Sequence, residues 1–150
     1  MRRFGLTALA LICTAAFVVT GHAADEPAKD KPKPGNMLVG TWKLVSGKYG
    51  GQDFKFPEGT TMLKHVTPTQ FMWATYDKEG KVFRAAGGSY TLKGETYEET
   101  PEYGFSDDFD TIKGKTHAFK AKVEGNTWHS NGMLANNLTI DEVWERVEKK

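Results

Sequence analysis

The order of apolar and polar residues predicts a chain made almost entirely of β-strands. The clearest alternation covers residues 116–124, where one face carries His117, Phe119, Ala121 and Val123. Strict alternation of this kind is typical of a strand with one buried face. Similar short runs recur along the chain, at 38–46, 60–67, 69–76, 82–86, 89–93, 96–100, 127–134 and 138–147. Hardly any segment shows the period of an amphipathic helix.

Short turns between these runs predict how the strands are connected. Residues 77–80 contain Asp and Gly where a tight hairpin requires them, and Gly125-Asn126 and Asn136-Asn137 separate later runs. About eight or nine strands joined by short turns follow one another around a sheet. The sequence therefore predicts an all-β fold, an up-and-down antiparallel barrel rather than a sandwich.

Glycine marks two irregular places in this pattern. Gly87 and Gly88 lie between two strand-like runs and predict a bulge or a sharp bend, which a closed barrel needs at its corners. Residues 47–59 include four glycines and one proline. This segment is predicted to be a loop.

Residues 101–115 form the one long connection. Ser106 can cap a short helical turn that ends at Gly114, and Phe105, Phe109 and Ile112 give the segment an apolar side. Long loops in compact domains are often functional. The segment is either a flap over the barrel mouth or a surface loop that places its phenylalanines in the core.

The first residues have the features of a secretory signal peptide. Arg2 and Arg3 precede an uncharged apolar run at 6–19, and small residues stand before a cleavage site after Ala23, with Ala24 as the alternative. The run is too short to span a bilayer comfortably. The predicted organisation is a signal peptide at 1–23, a flexible Lys/Pro-rich spacer at 24–35 and a domain at 36–150, in a periplasmic or secreted protein.

Charge and cysteine content narrow the possible partners. Removing Arg2 and Arg3 from the 20 basic residues leaves 18, against 19 acidic residues, without a long run of one sign. This balance favours neither nucleic acid nor stable membrane insertion. The single cysteine, Cys13, lies in the predicted signal, so the mature chain has no thiol for a disulfide or a metal.

Gly40-Thr41-Trp42 at the first run and Arg146 in the last one resemble the calycin superfamily, in particular bacterial lipocalin-like domain proteins. The resemblance implies that Trp42 closes one end of the barrel and that Arg146 lies across its indole. In fatty-acid-binding proteins of this superfamily a helix pair covers the barrel, and residues 47–59 are too short and too rich in glycine for it. The chain therefore resembles the lipocalins more than the fatty-acid-binding proteins.

A calycin-like barrel is a container, so the candidate site consists of residues that point inward. The alternation places Tyr90, Tyr97, His117 and Phe119 inward, together with Trp128 and either Phe71 or Trp73. The predicted ligand-binding set is Trp73, Tyr90, Tyr97, His117, Phe119 and Trp128. Tyrosine and tryptophan offer a flat apolar wall with a hydrogen-bonding edge. The expected function is binding of a small, largely apolar molecule by a monomer, for storage, transport or sensing.

Other functions are less well supported by the residues present. His65, His117 and His129 lie on different predicted strands, and only His117 is inward, so we expect no metal and no cofactor. Glu98, Glu99 and Glu102 are interpreted as a solvated rim. Because no catalytic motif is found either, we expect no enzyme activity. The alternatives are a dry structural or protein-interaction barrel and, more weakly, a haem-binding, metal-binding or enzymatic barrel.

Overall fold

The computed structural model describes residues 37–107 and 109–148. The predicted signal peptide, spacer and Asn36 lie outside the described residues. The elements in chain order are β1 (Gly40–Tyr49), β2 (Gln52–Phe54), β3 (Thr61–Val66), β4 (Gln70–Tyr76), β5 (Val82–Lys93), β6 (Thr96–Phe105), α1 (Phe109–Ile112), β7 (His117–Glu124), β8 (Thr127–Met133) and β9 (Thr139–Arg146). Within residues 37–107 and 109–148, no helix has the length and apolar composition that a membrane span requires.

Pairing between the first and last long strands closes the sheet into a barrel. Among the described residues, each strand from β3 to β8 pairs antiparallel with the next, while β1 pairs with β3 on one side and with β9 on the other. Eight strands therefore form the closed barrel, and the short β2 pairs with the end of β1. The prediction of an all-β, up-and-down antiparallel barrel is confirmed.

The two ends of the barrel differ. At one end, which we call the base, Trp42 of β1 is opposite Arg146 of β9. At the other end, the mouth, Tyr49 is opposite Ile140. Aromatic rings fill the base half, where Trp42, Tyr97, Trp128 and Trp144 are fully buried. Trp128 contacts Trp42 edge to face at 5.5 Å between ring centroids and stacks on Trp144 at 6.0 Å.

A bulge in β1 directs Tyr49 into the barrel. The register with β9 shifts between Leu44 and Ser46, which leaves Val45 as an extra residue. Because alternate side chains of a strand point to opposite faces, one extra residue exchanges the positions that point into the barrel with those that point out. Trp42 and Leu44 are buried before the bulge, whereas Tyr49 is the half-buried inward residue after it.

The glycine pair lies in a second bulge. The predicted runs 82–86 and 89–93 form one continuous strand, β5, and its register with β6 shifts between Gly87 and Gly88. A Cβ at Gly88 would collide with the backbone oxygen of Thr100. The predicted bulge is confirmed, and glycine is required because two backbones approach closely there.

The prediction that residues 47–59 form a loop is wrong in part. β1 continues to Tyr49, and after a turn at Gly50 and Gly51, both with positive φ, β2 pairs back onto it. Glycine content indicated irregular structure correctly at the turn. It could not show that the flanking residues return to the sheet, since strand pairing depends on residues far away in sequence.

The long connection 101–115 contributes to the wall of the barrel. β6 and β7 pair only between Thr96–Glu99 and the facing residues 117–120, and β6 extends to Phe105. α1 follows, and its Phe109 and Ile112 are buried against Ala86 and the half-buried Trp73 and Leu134. Phe105 is 52% exposed, so only part of the predicted apolar side faces inward.

The base is held by hydrogen bonds and a stacked cation. The guanidinium of Arg146 lies 4.1 Å from the centre of the Trp42 ring, and it donates to the carbonyls of Val39 (2.8 Å) and Met37 (2.6 Å). Trp42 Nε1 donates to the Leu38 carbonyl at 2.7 Å. Gly40 has φ of +142°, and a Cβ there would lie 2.5 Å from Arg146 Nη1. The glycine and tryptophan of the first run and the distant arginine thus form one structural unit.

We expect Arg146→Lys to lower the free energy of unfolding by about 1–3 kcal/mol, because an ammonium cannot bond both carbonyls while lying flat on the indole. Urea denaturation measures this. Lys43→Arg, an exchange between the same two residue types on an exposed residue of β1, should change stability by less than about 0.5 kcal/mol. Equal effects of the two exchanges would show that the stacked geometry at the base contributes nothing specific.

Candidate ligand-binding site

A cavity of about 250 Å³ occupies the mouth half of the barrel. Its walls are mainly aromatic and aliphatic, with Tyr49, Phe54, Phe56, Trp73, Phe119 and Trp144 among them. Its polar groups converge from several strands and include Lys64, Thr75, Glu99, His117, Ser130 and Glu142. This combination of apolar walls with a few fixed polar groups is typical of small-molecule sites.

The six residues predicted to bind a ligand are divided between the cavity and the packed core. Trp73, His117 and Phe119 line the cavity. Tyr97 and Trp128 are completely buried in the core instead. Tyr90 is half-buried against the same core, and its hydroxyl donates to the Thr67 carbonyl at 2.7 Å. Alternation predicts which face of a strand points inward, but it does not predict the depth at which the interior becomes filled.

A buried ion pair forms part of the cavity floor. Lys64 Nζ lies 2.5 Å from Glu99 Oε1, and their side chains are only 5% and 8% exposed. The same carboxylate oxygen accepts a hydrogen bond from the Tyr97 hydroxyl at 2.6 Å. The ammonium also lies 5.1–5.6 Å from four ring centres, those of Phe71, Tyr97, Trp128 and Trp144. Lys64 is therefore held by one anion and by the negative faces of aromatic rings.

The interpretation of Glu98, Glu99 and Glu102 as a solvated rim is wrong for Glu99. Glu102 is exposed and Glu98 is half-buried, but Glu99 is only 6% exposed. Glu99 is two residues from Tyr97 on β6 and shares its inward face. The position in the strand determines the burial here, and the ion pair with Lys64 makes that burial possible.

Glu142 is the second buried carboxylate of the floor. Its Oε1 accepts from the Tyr49 hydroxyl at 2.6 Å, and its Oε2 accepts from Trp144 Nε1 at 3.1 Å. Burial raises the pKa of Glu142 above its ordinary value, and the negative charge of Glu99 adds to this shift, while Lys64 opposes it. Burial and the neighbouring Glu142 also raise the pKa of Tyr49, so the phenol stays protonated and donates.

The same signal could have identified all three charged residues from the sequence. Lys64 is two residues before the buried Val66, and Glu142 lies between Ile140 and Trp144, which are both buried. A residue at an inward position of an alternating strand is inward whatever its type. Lysine and glutamate usually face solvent, so residue type alone predicts exposed positions for these three residues.

His117 has a structural role in the cavity wall. Its Nδ1 accepts from the backbone N–H of Ala135 at 3.1 Å, which leaves Nε2 as the donor towards the Ile112 carbonyl at 3.4 Å. The ring thereby connects β7 to α1 and to the turn between β8 and β9. His65 is exposed and bonds to Thr41, and the described residues contain no group of three side chains suited to a metal ion.

Comparison with solved structures finds other closed barrels. A redesigned β-barrel matches with a TM-score of 0.50 and 13% identity, over 79% of this chain and 98% of that chain. A de novo designed fluorescence-activating β-barrel gives 0.46 and 11%, over 75% and 96%. Fatty-acid-binding protein 1 of Echinococcus granulosus gives 0.43 and 15%, over 75% and 99%. No protein-family model and no curated protein sequence match the chain.

These identities are low, so the likeness to the redesigned barrel concerns the fold alone. It agrees with the closure of β1 on β9, which makes the sheet a closed antiparallel barrel. The chemistry of the cavity has to be argued from the residues of this chain.

We expect strong energetic coupling between Lys64 and Glu99. Lys64→Met alone should destabilise the protein by about 3–5 kcal/mol, because it leaves a buried carboxylate without its cation. Adding Glu99→Gln should recover most of this loss. Urea denaturation of both single variants and the double variant gives the coupling energy. The exposed pair Lys120–Glu95, at 3.4 Å, is the matched control and should show no measurable coupling.

Glu142 should make stability depend on pH. Because its pKa in the folded protein lies above the ordinary 4.5, the folded state binds this proton more tightly than the unfolded chain does. Its contribution to stability is therefore complete below the ordinary pKa and is lost as the pH rises through the raised pKa. Glutamine in Glu142→Gln cannot ionise and does not suffer this loss. The free energy of unfolding of the variant, measured by urea denaturation at several pH values, should therefore rise relative to that of the wild type as the pH rises. Parallel pH profiles would contradict the raised pKa.

Proposed function

We propose that this protein is an exported barrel that binds one small, largely apolar molecule in the cavity at its mouth, to store, carry or sense it without covalent chemistry. The observation that carries the proposal is the cavity itself, with aromatic walls above a hydrogen-bonded charged floor. Its volume of about 250 Å³ is slightly below the range of roughly 300–1,000 Å³ for common ligand sites. The ligand is accordingly small, with a compact apolar body.

The charged floor supports a binding role over a purely structural one. A buried ion pair adds little net stability, and replacing it with apolar side chains of similar volume is often neutral or stabilising. A barrel that needed only stability could be filled by leucine and phenylalanine at these positions. Lys64, Glu99 and Glu142 instead place polar atoms on the cavity surface, where they can orient a ligand.

The polar groups of the cavity floor are also preorganised for binding. Tyr49, Trp144 and Tyr97 hold the two carboxylates by hydrogen bonds, and all of these side chains come from strands of the closed sheet. Rigid placement reduces the entropy that binding would otherwise lose. Export is supported by the sequence features of residues 1–23, and a periplasmic or secreted barrel can meet its ligand outside the cytoplasm.

We expect the neutral fluorescent probe N-phenylnaphthylamine to bind saturably at one site with blue-shifted emission, because the cavity walls are apolar. Ser130→Phe adds a ring to a buried lining position and should weaken binding by about ten-fold or more, which is at least 1.4 kcal/mol. Ser46→Phe, the same exchange on an exposed residue of β1, should leave the affinity unchanged.

Circular dichroism and thermal unfolding check that both variants fold. Saturable binding that Ser130→Phe leaves intact would place the probe outside the cavity. Absence of binding by the wild type would count against the proposed function.

A further inference from the structure

The buried floor of the cavity contains more negative than positive charge. Among the described residues, Glu99 and Glu142 supply two buried carboxylates, and Lys64 supplies the one buried ammonium. Lys64 lies in contact with Glu99, whereas no cation of the described residues forms an ion pair with Glu142 within 4.0 Å. With both carboxylates ionised, the floor has a net charge of −1 (one positive and two negative charges).

The other titratable groups around the cavity do not remove this imbalance. Arg84 of β5 lies on the wall near the mouth and acts on the Tyr49 phenol, but it is exposed, so water screens its charge towards the deeper Glu142. Both ring nitrogens of His117 face backbone groups of the protein. The phenols of Tyr49 and Tyr97 are neutral donors to the carboxylates. Glu142 therefore has hydrogen bonds but no direct counter-charge among the described residues.

The Glu142 carboxylate has acceptor positions for a further donor. An ionised carboxylate offers about four acceptor positions, and the bonds from Tyr49 and Trp144 occupy two of them. Glu142, Tyr49 and Trp144 all line the cavity. A group that enters the cavity can consequently meet both the carboxylate and the two aromatic rings that hold it.

The charge of a ligand decides how it fits this floor. An anionic head would raise the local charge from −1 to −2 and would compete with Glu99 for a lysine that is already paired and surrounded by rings. A cationic head would bring the charge to zero. It would also gain from the faces of neighbouring aromatic rings, which attract a desolvated cation.

We infer that the ligand bound in this cavity carries a protonated nitrogen on a small apolar body, such as an arylalkylamine, and that Glu142 receives this nitrogen. This inference rests on the proposed function, since it needs a ligand in the cavity. Glu142 is the residue that determines specificity, and Lys64 and Glu99 form the neutral pair beneath it. In the absence of a ligand, a proton on Glu142 gives the same neutral floor, in agreement with its raised pKa.

Three probes of nearly equal size test the inference by isothermal titration calorimetry: phenethylamine (a cation), phenethyl alcohol (neutral) and phenylacetate (an anion). At neutral pH the wild-type protein should bind phenethylamine at least about ten-fold more tightly than phenethyl alcohol, and phenylacetate most weakly. Phenylacetate binding as tightly as phenethylamine, or tighter, would overturn the inference.

Two variants assign the preference to Glu142. Glu142→Gln should bind the amine and the alcohol within about three-fold of each other, and circular dichroism and thermal unfolding check that it folds. Glu142→Asp keeps the charge and should retain most of the preference. An unchanged preference for the amine over the alcohol in Glu142→Gln would overturn the assignment. If that variant does not fold, the order in which the wild type binds the three probes still decides the sign of the charge on the preferred ligand.

The outcome also separates the inference from the proposed function. Equal binding of the amine and the alcohol, together with binding of N-phenylnaphthylamine, would leave a ligand-binding barrel without charge preference and would refute only the inference. Failure of all four compounds to bind would refute both.

Discussion

The pairing of β1 with β9 is the constraint on which the whole structure depends. It joins residues about a hundred positions apart, closes the sheet, and leaves the edge of β9 paired to the first strand. Where the two strands meet at the base, Arg146 stacks on Trp42. Further along β1, the bulge at Val45 changes which alternate residues point inward, so that Tyr49 faces the cavity. Without this closure the three charged residues of the floor would be exposed on an open sheet.

Within the closed barrel, charge and packing divide the interior into two halves. Below the floor, Trp128 packs against Trp42 and Tyr97 and stacks on Trp144, whose indole N–H donates to Glu142 in the floor. Above it, the walls remain apart and α1 covers the place where β6 and β7 stop pairing. Lys64 lies between the halves, with rings around its ammonium and Glu99 bonded to it. Burying these charges is unfavourable unless they are paired, so the floor is the part of the structure whose presence most needs a functional reason.

The sequence predicted the strands and turns well because alternation and turn residues are local signals. The alternation in residues 116–124 and the turn residues predicted the strands, and the resemblance carried by the Gly-x-Trp run and the late arginine implied the stacked base. The sequence predicted the site less well, since depth in the barrel follows from strand register, which is a property of distant pairs. Tyr97 and Trp128 were expected at a ligand and are instead core residues. Glu99 was expected in solvent, because residue type was given more weight than its place two residues from Tyr97.

The four tryptophans of the described residues offer the most direct test of the central claim, that a small molecule occupies the mouth half of the barrel. Trp73 and Trp144 line the cavity, whereas Trp42 and Trp128 lie in the packed core. With the indole nitrogens labelled for NMR, saturation with a bound probe should shift the N–H resonances of Trp73 and Trp144 and leave that of Trp42 in place. Four unmoved resonances under saturating conditions, or a shift of Trp42 alone, would contradict the account.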